Sequence, residues 1–350
     1  MATRLRADYA EWLRTLPQPP GLDREVEEFL TEVDRRLVPH LKKSLRYVPK
    51  VEPLNQGMRH QIMSGGKRIR AALCVCACEL FSTPSLRGLD FAAAIEHMQN
   101  FTLVHDDIAD GDEERRAQRS IWKQFGVPHG INIGDTFVPL AALAILDAPY
   151  ADSLKIRLLE VVSHFGLEMV EGQSLDINMR GNESVTVDDY LECTRKKTGA
   201  FLAMATVGGG IVGGGDDADL MKLRDFAVQA GVAFQIRDDM LDLEGTKGRA
   251  IGSDILEGKR TLLVIHAARN ASKLQRKHLY GILDKPREQK TGRDLTWVID
   301  LYRRTNAHEY ADLTSARIID TACSHILDFP ESVAKYRLLR ISKYLSGRTH

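Results

Sequence analysis

The sequence predicts an all-α protein that folds as a single large helical bundle. From residue 22 onward, apolar residues recur mostly at spacings of three and four, as in the segments VEEFLTEVDRRLVPHL and DYLECTRKKTGAFLAMATVGG. This spacing places apolar side chains on one face of a helix, whereas the alternating runs typical of strands are scarce. The segment FVPLAALAIL is apolar nearly all round, so it predicts a helix buried on all sides and a bundle with an inner layer.

Glycine and proline clusters divide this pattern into many helices. Turns are expected at residues 64–66, 111–112, 126–128, 213–215 and 285–286. The segment DDAD at residues 216–219 follows a glycine run and is expected to be a turn or a helix N-cap. The segment LPQPPG at residues 16–21 would break a preceding helix, because proline lacks an amide donor. We therefore predict an N-terminal appendage over residues 1–20 and one all-α domain over residues 21–350.

Composition narrows the possible partners and location. The 350 residues include 48 Lys plus Arg and 48 Asp plus Glu, and this net charge of zero gives no sign of a nucleic-acid partner. The five cysteines form neither a disulfide framework nor a zinc pattern, which suits buried thiols in a reducing cytosol. No segment shows the apolar run of a secretory signal or the roughly 18 to 20 apolar residues of a membrane span. We expect a cytoplasmic protein that does not span a membrane.

Two aspartate clusters predict a metal site. Both spell D-D-x-x-D, with Asp106, Asp107 and Asp110 in the first and Asp238, Asp239 and Asp242 in the second. The first and last aspartates of each cluster lie about one helical turn apart, so at least two carboxylates share a face. Apolar residues before each cluster would draw it toward the core, where grouped carboxylates need a cation, and hard oxygen ligands favour Mg²⁺. A single cluster could equally be a solvated helix face, but two copies favour the metal.

Basic residues that could bind phosphates accompany the aspartates, at residues 65–70, 115–116, 196–199 and 257–260. A diphosphate needs several donors and countercharge, which arginine supplies as a planar fork and lysine as a point charge. In GGKRIR, two glycines would let the backbone approach a ligand, while Lys67 and Arg70 lie three residues apart on one face. Each segment alone could be solvated, but the set together with the aspartates indicates diphosphate chemistry.

These motifs, in this order, resemble the trans-isoprenyl diphosphate synthase family over about residues 43–345, and short-chain geranylgeranyl diphosphate synthases most of all. Shorter matches agree, among them EGQ at 171–173, KTG at 197–199, FQ at 234–235 and GSDI at 252–255. The resemblance implies an isoprenoid synthase bundle around a central cavity. It also implies that isopentenyl diphosphate is joined to dimethylallyl, geranyl or farnesyl diphosphate, with three Mg²⁺ ions in each active site of a homodimer.

The resemblance further implies roles for individual residues. Mg²⁺ ligation is implied for Asp106, Asp110 and Asp238, with support from Asp107 and Asp242. Contacts to the allylic diphosphate are implied for Arg115, Lys197 and Lys259. The family pattern holds isopentenyl diphosphate at the positions of Lys67, Arg70, Gln99 and Arg116, and it stabilises a carbocation at those of Thr198, Gln235 and the Lys197 backbone. Relatives commonly continue the arginine pair as R-R-G-x-P, whereas residues 115–119 read RRAQR, so the resemblance does not fix the loop geometry there.

Product length depends in this family on residues just before the first cluster. An aromatic residue five places before Asp106, Phe101, followed by Thr102, implies geranylgeranyl diphosphate, with farnesyl diphosphate second. On a helical wheel Gln99 lies about 20° from Asp106, whereas Phe101 lies about 140° away, so a Phe101 packed in the core stays an alternative.

A terpene cyclase and an inactive regulatory subunit are less favoured, because a cyclase needs no second diphosphate site and an inactive subunit should lack metal ligands.

Overall fold

Helices account for nearly all regular structure in the computed structural model, which describes residues 20–116, 118–243 and 251–346. The exception within those ranges is one pair of short antiparallel strands, β1 (Glu114–Arg115) and β2 (Gln118–Arg119). The predicted all-α class is confirmed. The predicted appendage lies outside the described residues apart from Pro20, where the first helix begins. Proline suits that first position because its missing amide hydrogen has no intrahelical partner there.

The first half of the bundle leads to a helix that carries the first aspartate cluster. It comprises α1 (Pro20–Lys43), a 3₁₀ turn (Ser44–Tyr47), α2 (Leu54–Met63), α3 (Ile69–Glu79) and α4 (Ser85–Asp110). After the strand pair follow α5 (Ile121–Phe125), α6 (Val127–Asp135), α7 (Phe137–Asp147) and the long α8 (Asp152–Met179). The first cluster therefore lies at the carboxyl end of α4, where Gly111 takes a left-handed conformation and ends the helix.

The second half carries the other cluster at the end of another long helix. It comprises α9 (Val187–Thr194), a π turn (Arg195–Gly199), α10 (Ala200–Gly213) and α11 (Asp217–Leu241). The remaining elements are α12 (Ser253–Glu257), α13 (Leu262–Asn270), α14 (Lys273–Leu283), a 3₁₀ turn (Arg287–Gln289), α15 (Gly292–Arg304), α16 (Ala307–Ser324) and α17 (Val333–Ser346). Asp216 caps α11 by accepting a hydrogen bond from the Asp219 amide, which confirms the predicted N-cap.

The inner layer of the bundle is α10. Every residue from 200 to 212 is buried, and α10 packs against α3, α4, α8 and α11. Small residues allow this close packing: a Cβ added to Gly209 would lie 2.2 Å from the Cys74 carbonyl oxygen. The prediction that FVPLAALAIL forms a fully buried helix was wrong, because α7 leaves Val138 41% and Leu146 49% exposed. Its uniform apolarity reflects an apolar outer face as well as an inner one.

Among the described residues, one segment meets the length and composition of a membrane span, although the sequence was expected to contain no such segment. Residues Val127–Asp147 are 21 residues long with a mean hydropathy of 1.3. The segment comprises two successive helices, α6 and α7, whose inner sides bury Ile133, Phe137 and Ala141 in the bundle core. A core helix of a bundle has the same apolar composition, so this segment is weak evidence for a membrane span.

Candidate active site

A cavity of about 450 Å³ brings the predicted site residues together from helices far apart in the sequence. Its polar lining includes Arg70, Gln99, Thr102, Asp106, Asp110, Arg115, Lys197, Thr198, Gln235, Asp238 and Lys259. Its apolar lining includes Phe101, Leu103, Met169, Val170, Ile177, Phe201 and Phe234. The cavity thus has a charged end and an apolar interior. Phe101 lines the cavity as well as Asp106, so the cavity extends further around α4 than the helical wheel indicated.

A second cavity of about 210 Å³ adjoins the first and is lined by basic side chains. The lining includes the predicted residues Lys67, Arg70, Gln99, Arg115 and Arg116. Arg70, Gln99 and Arg115 also line the larger cavity, so the two spaces share a wall. The two cavities differ in charge, because the aspartate clusters lie only at the larger one.

The first cluster contributes two carboxylates to the larger cavity. Burial raises the pKa of Asp106, although the nearby Lys197 charge opposes the shift. The Asp110 carboxylate accepts hydrogen bonds from Arg180 Nη2 at 2.6 Å and from Lys259 Nζ at 3.3 Å. Burial alone would raise the pKa of Asp110, but Lys259, Lys197 and Arg180 outweigh it and hold that pKa well below its usual range.

The second cluster splits between the cavity and a buried network. Asp238 lines the cavity, whereas Asp239 accepts hydrogen bonds from Tyr190 Oη at 2.7 Å and Gln235 Nε2 at 2.8 Å. Burial, assisted by the Asp254 charge, raises the pKa of Asp239 to about 8. Because Gln235 uses its amide nitrogen for Asp239, its Oε1 faces Thr198 and accepts a 2.9 Å hydrogen bond from that hydroxyl. This network fixes two of the predicted cation-stabilising oxygens.

Asp107 and Asp242, predicted as supporting metal ligands, do not line the cavity. Asp107 is buried and accepts a 2.8 Å hydrogen bond from Arg115 Nε. Asp242 is buried and accepts hydrogen bonds from the Ser253 hydroxyl at 2.6 Å and the Asp254 amide at 3.1 Å. Asp107 follows Asp106 directly, and adjacent helical positions point about 100° apart, so Asp107 is directed away from the face that carries Asp106. Asp242 directly follows the last residue of α11. In this structure both carboxylates hold neighbouring segments, and their role as supporting metal ligands stays a prediction.

The π turn presents Lys197 and Thr198 to the cavity. Gly172 on α8 makes room for it, because a Cβ at that position would lie 2.2 Å from the Lys197 amide nitrogen. Lys197 Nζ donates to Asp176 at 2.7 Å. Burial alone would lower the pKa of Lys197, but Asp176 and Asp106 outweigh it and raise that pKa, so the side chain stays charged. Extra turns of this kind are frequent at functional sites because they redirect side chains.

The predicted phosphate-binding residues have well-defined positions. Lys259 Nζ lies between Asp110 and Asp254, at 3.3 and 3.1 Å. Arg116 donates from Nη1 to the Ser64 hydroxyl at 2.8 Å, and the Arg70 guanidinium lies 4.4 Å from the centre of the Phe201 ring. Among the described residues, none donates a hydrogen bond to the buried Gln99 Oε1. An orphaned acceptor in a cavity wall indicates a place for a ligand or water.

Sequence reasoning missed three charged residues at the site: Arg68, Glu96 and Arg180. Arg68 lies inside GGKRIR, but its guanidinium turns away from solvent to pair with Asp34 and Glu96. Arg180 follows α8 and reaches Asp110. Glu96 lies ten residues before Asp106 in α4 with no motif of its own, and Arg180 is likewise isolated in the sequence. Only Arg68 could have been singled out from the sequence, because it lies between Lys67 and Arg70, which were both assigned to phosphate binding.

The fold and site suit an enzyme whose cavity offers charged side chains for a diphosphate and an apolar lining for a hydrocarbon chain. A family model described as polyprenyl synthetase matches residues 51–301. The chain belongs to this family, which confirms the prenyl diphosphate synthase predicted from the motifs and makes it a trans-prenyltransferase.

Similar proteins agree with this assignment. A short chain isoprenyl diphosphate synthase from Methanothermobacter thermautotrophicus is 34% identical over 302 residues, which cover 85% of this chain and 91% of the relative. A geranylgeranyl pyrophosphate synthase from Geoglobus acetivorans is 33% identical over 307 residues, covering 85% and 92%. The crystal structure of geranylgeranyl pyrophosphate synthetase from Pyrococcus horikoshii superposes with a TM-score of 0.83 at 31% identity, covering 93% of this chain and 99% of that one.

Proposed function

We propose that this enzyme joins isopentenyl diphosphate head-to-tail to an allylic diphosphate and makes geranylgeranyl diphosphate, with farnesyl diphosphate as the alternative product. The observation that supports this most is the pair of adjoining cavities. The larger cavity combines carboxylates that could hold metal ions with an apolar lining, as an allylic diphosphate would need. The smaller cavity is lined by Lys67, Arg70 and Arg116, as a second diphosphate would need. A cyclase would require only the first cavity.

The carboxylates at the larger cavity fit Mg²⁺. Asp106, Asp110 and Asp238 line it, and among the described residues no hydrogen bond or ion pair reaches the Asp106 carboxylate. Within the same ranges, no three His, Cys, Asp or Glu side chains lie close enough to hold an ion by themselves. Mg²⁺ in proteins commonly uses one or two carboxylates together with water and substrate phosphates, so this arrangement suits it. A count of three ions stays a prediction from the resemblance.

Different side chains around the cavity would assist different parts of the ionisation of the allylic diphosphate. Mg²⁺ held by Asp106, Asp110 and Asp238 would neutralise charge on the departing diphosphate. Lys197, Lys259 and Arg115 add fixed positive charge at the same end, which stabilises the departing group without solvent reorganisation. The apolar lining excludes water, which would otherwise capture the allylic cation.

The new carbon–carbon bond forms between the two cavities. Lys67, Arg70, Arg116 and Gln99 would hold isopentenyl diphosphate so that its double bond attacks the cation. The oxygens of Thr198, Gln235 and the Lys197 carbonyl would stabilise the positive charge, and the network through Asp239 and Tyr190 holds two of them in place. The proton then leaves to the departed diphosphate, so no protein nucleophile is required.

The assembly is proposed to be a homodimer in the cytoplasm. The consecutive helices α7 and α8 expose apolar side chains, including Val138, Leu146 and Leu167, and Leu167 is 71% exposed. Val170 and Ile177 on α8 are both exposed and part of the cavity lining. A second copy packed on α8 would cover these side chains and close that wall. All five cysteines are buried and free, which suits a reducing compartment.

Substitution of Asp106 tests the proposal. Asp106→Ala should lower turnover by roughly 10²-fold or more, because it removes a charged group that acts on the departing diphosphate. Asp217→Ala is the matched control, since Asp217 is on the surface at the start of α11 with a 98% exposed side chain. Both variants should unfold at the wild-type temperature. Near-normal activity of Asp106→Ala would refute the metal role.

A further inference from the structure

Arg180 links the end of α8 to the first aspartate cluster. Its Nη2 donates to Asp110 Oδ1 at 2.6 Å, while Lys259 Nζ lies 3.3 Å from Asp110 Oδ2. Arg287 Nη1 also donates to the Asp110 carbonyl oxygen at 2.6 Å. Each oxygen of this buried carboxylate therefore faces a cation supplied by the protein itself. Asp106, one turn earlier in α4, has no such partner among the described residues.

The Arg180 guanidinium contacts a carboxylate oxygen that a divalent ion bound to Asp110 would also use. A metal bound to Asp110 would share the carboxylate oxygens with Arg180 and Lys259, and like charges at hydrogen-bonding distance repel strongly in a buried setting. Arg180 Nε is buried, and no acceptor among the described residues reaches it. The arginine is thus incompletely satisfied where it stands, so a new anion nearby could draw it away from Asp110.

We propose that Arg180 is an internal counter-ion of Asp110 that a divalent metal must displace, so that metal binds tightly at this cluster only together with a diphosphate. The diphosphate supplies the negative charge that receives the displaced guanidinium. This inference rests on the proposed function, because it takes Asp110 as a metal ligand. It assigns Arg180 a role that no motif indicated: coupling of metal binding to substrate binding.

Titration of Mn²⁺ into the metal-free full-length protein tests the coupling, with free Mn²⁺ measured by electron paramagnetic resonance. Without diphosphate, Arg180→Gln should bind Mn²⁺ about tenfold more tightly than wild type, the size of a typical coupling between two ligands. With inorganic pyrophosphate present, the two proteins should differ much less. The control Arg157→Gln removes the same charge from a half-exposed position on α8 and should behave as wild type.

The possible results separate this inference from the proposed function. Equal Mn²⁺ affinity of Arg180→Gln and wild type without diphosphate would overturn the inference while leaving the metal role intact. Absence of Mn²⁺ binding to either protein with pyrophosphate present would overturn the metal role and the inference together.

The effect of Mn²⁺ on thermal unfolding distinguishes the proposed role from a merely structural one. Loss of a structural arginine would lower the unfolding temperature equally with and without Mn²⁺. In EDTA, Arg180→Gln should unfold at a lower temperature than wild type, because Asp110 loses a partner. Mn²⁺ without pyrophosphate should reduce that deficit, because the variant binds Mn²⁺ more tightly than wild type and is stabilised more by it. A deficit that is the same with and without Mn²⁺ would overturn the inference. Should Arg180→Gln fail to fold, Arg180→Lys keeps the charge and is expected to retain the weak Mn²⁺ binding of wild type; tight binding by that variant would contradict the account.

Discussion

Arg68 Nη1 donates a hydrogen bond to Glu96 over 2.6 Å, and both side chains are almost completely buried. The bond joins the segment that contains Lys67 and Arg70 to α4, which carries the first aspartate cluster. Arg68 has a backbone φ of 52°, a left-handed conformation that arginine rarely adopts. The ion pair therefore sets the course of the chain between the two residues proposed to bind isopentenyl diphosphate.

Glu96→Gln should weaken the binding of one substrate only. Breaking a buried ion pair commonly costs about 3 to 5 kcal/mol, so we expect lower stability to urea. Because Arg68 orients Lys67 and Arg70, the KM for isopentenyl diphosphate should rise about tenfold or more while the KM for the allylic diphosphate changes little. Asp34→Asn removes the charge of the other, more exposed partner of Arg68, so it should raise the KM for isopentenyl diphosphate less. Equal increases in both KM values would contradict the positioning role.

Gly172→Ala should disturb the π turn. The added methyl carbon would lie 2.2 Å from the Lys197 amide nitrogen, which is backbone and cannot rotate away. We expect activity to fall by roughly 10²-fold, since small displacements at a reacting centre are costly. Gly281→Ala on α14 is a matched control, because a Cβ there meets no atom within 4 Å. Equal activity of the two variants would show that the turn tolerates displacement.

Phe101→Ala should lengthen the product. The Phe101 ring lines the cavity and lies 4.8 Å from the His105 ring, centroid to centroid, so the neighbouring side chain limits its movement. Its removal opens space for at least one more five-carbon unit, and chromatography of the dephosphorylated alcohols should show chains longer than geranylgeraniol. Thr102→Ala removes less volume and should shift the distribution less. An unchanged product length for Phe101→Ala would show that this ring does not limit the length of the product.

Stability should decrease in mild acid because of His97. Burial, with a contribution from the Arg68 charge, lowers the pKa of His97 to about 4 from an ordinary value of 6.5. The unfolded chain then binds a proton that the folded protein does not, so stability is lost as pH falls from about 6.5 to 4, by about 3 kcal/mol. His97→Gln cannot titrate but can still reach the Ser44 hydroxyl, which lies 2.8 Å from His97 Nε2. Urea unfolding of this variant should show a shallower pH dependence, and an identical slope would contradict the assignment.

The short motifs pointed to residues that the fold brings together at one cavity. The cavity gathers Asp106, Asp110, Asp238, Lys197 and Lys259 from four separate parts of the chain, as the two D-D-x-x-D clusters and the short basic segments indicated. The sequence could not show which carboxylates would face inward. The direction of a helix relative to its neighbours decides this, and it turns Asp107 toward Arg115 and Asp242 toward Ser253.

Ion pairs between residues far apart in the sequence could not be predicted from the sequence. The contact between Arg180 and Asp110 joins residues 70 apart, and it depends on where α8 ends. The burial predicted for α7 was wrong for a related reason, since apolar composition alone does not show which side of a helix faces the core. Val138 and Leu146 lie on the side that faces away from the bundle.

Incorporation of radiolabelled isopentenyl diphosphate tests the central claim most directly. Purified protein and Mg²⁺ would be incubated with it and with dimethylallyl, geranyl or farnesyl diphosphate in turn, and the dephosphorylated products separated by chain length. The two adjoining cavities predict label in geranylgeraniol. Farnesol as the end product would keep the reaction and change the product assignment. No incorporation with any primer, together with release of a hydrocarbon from one diphosphate alone, would contradict the account.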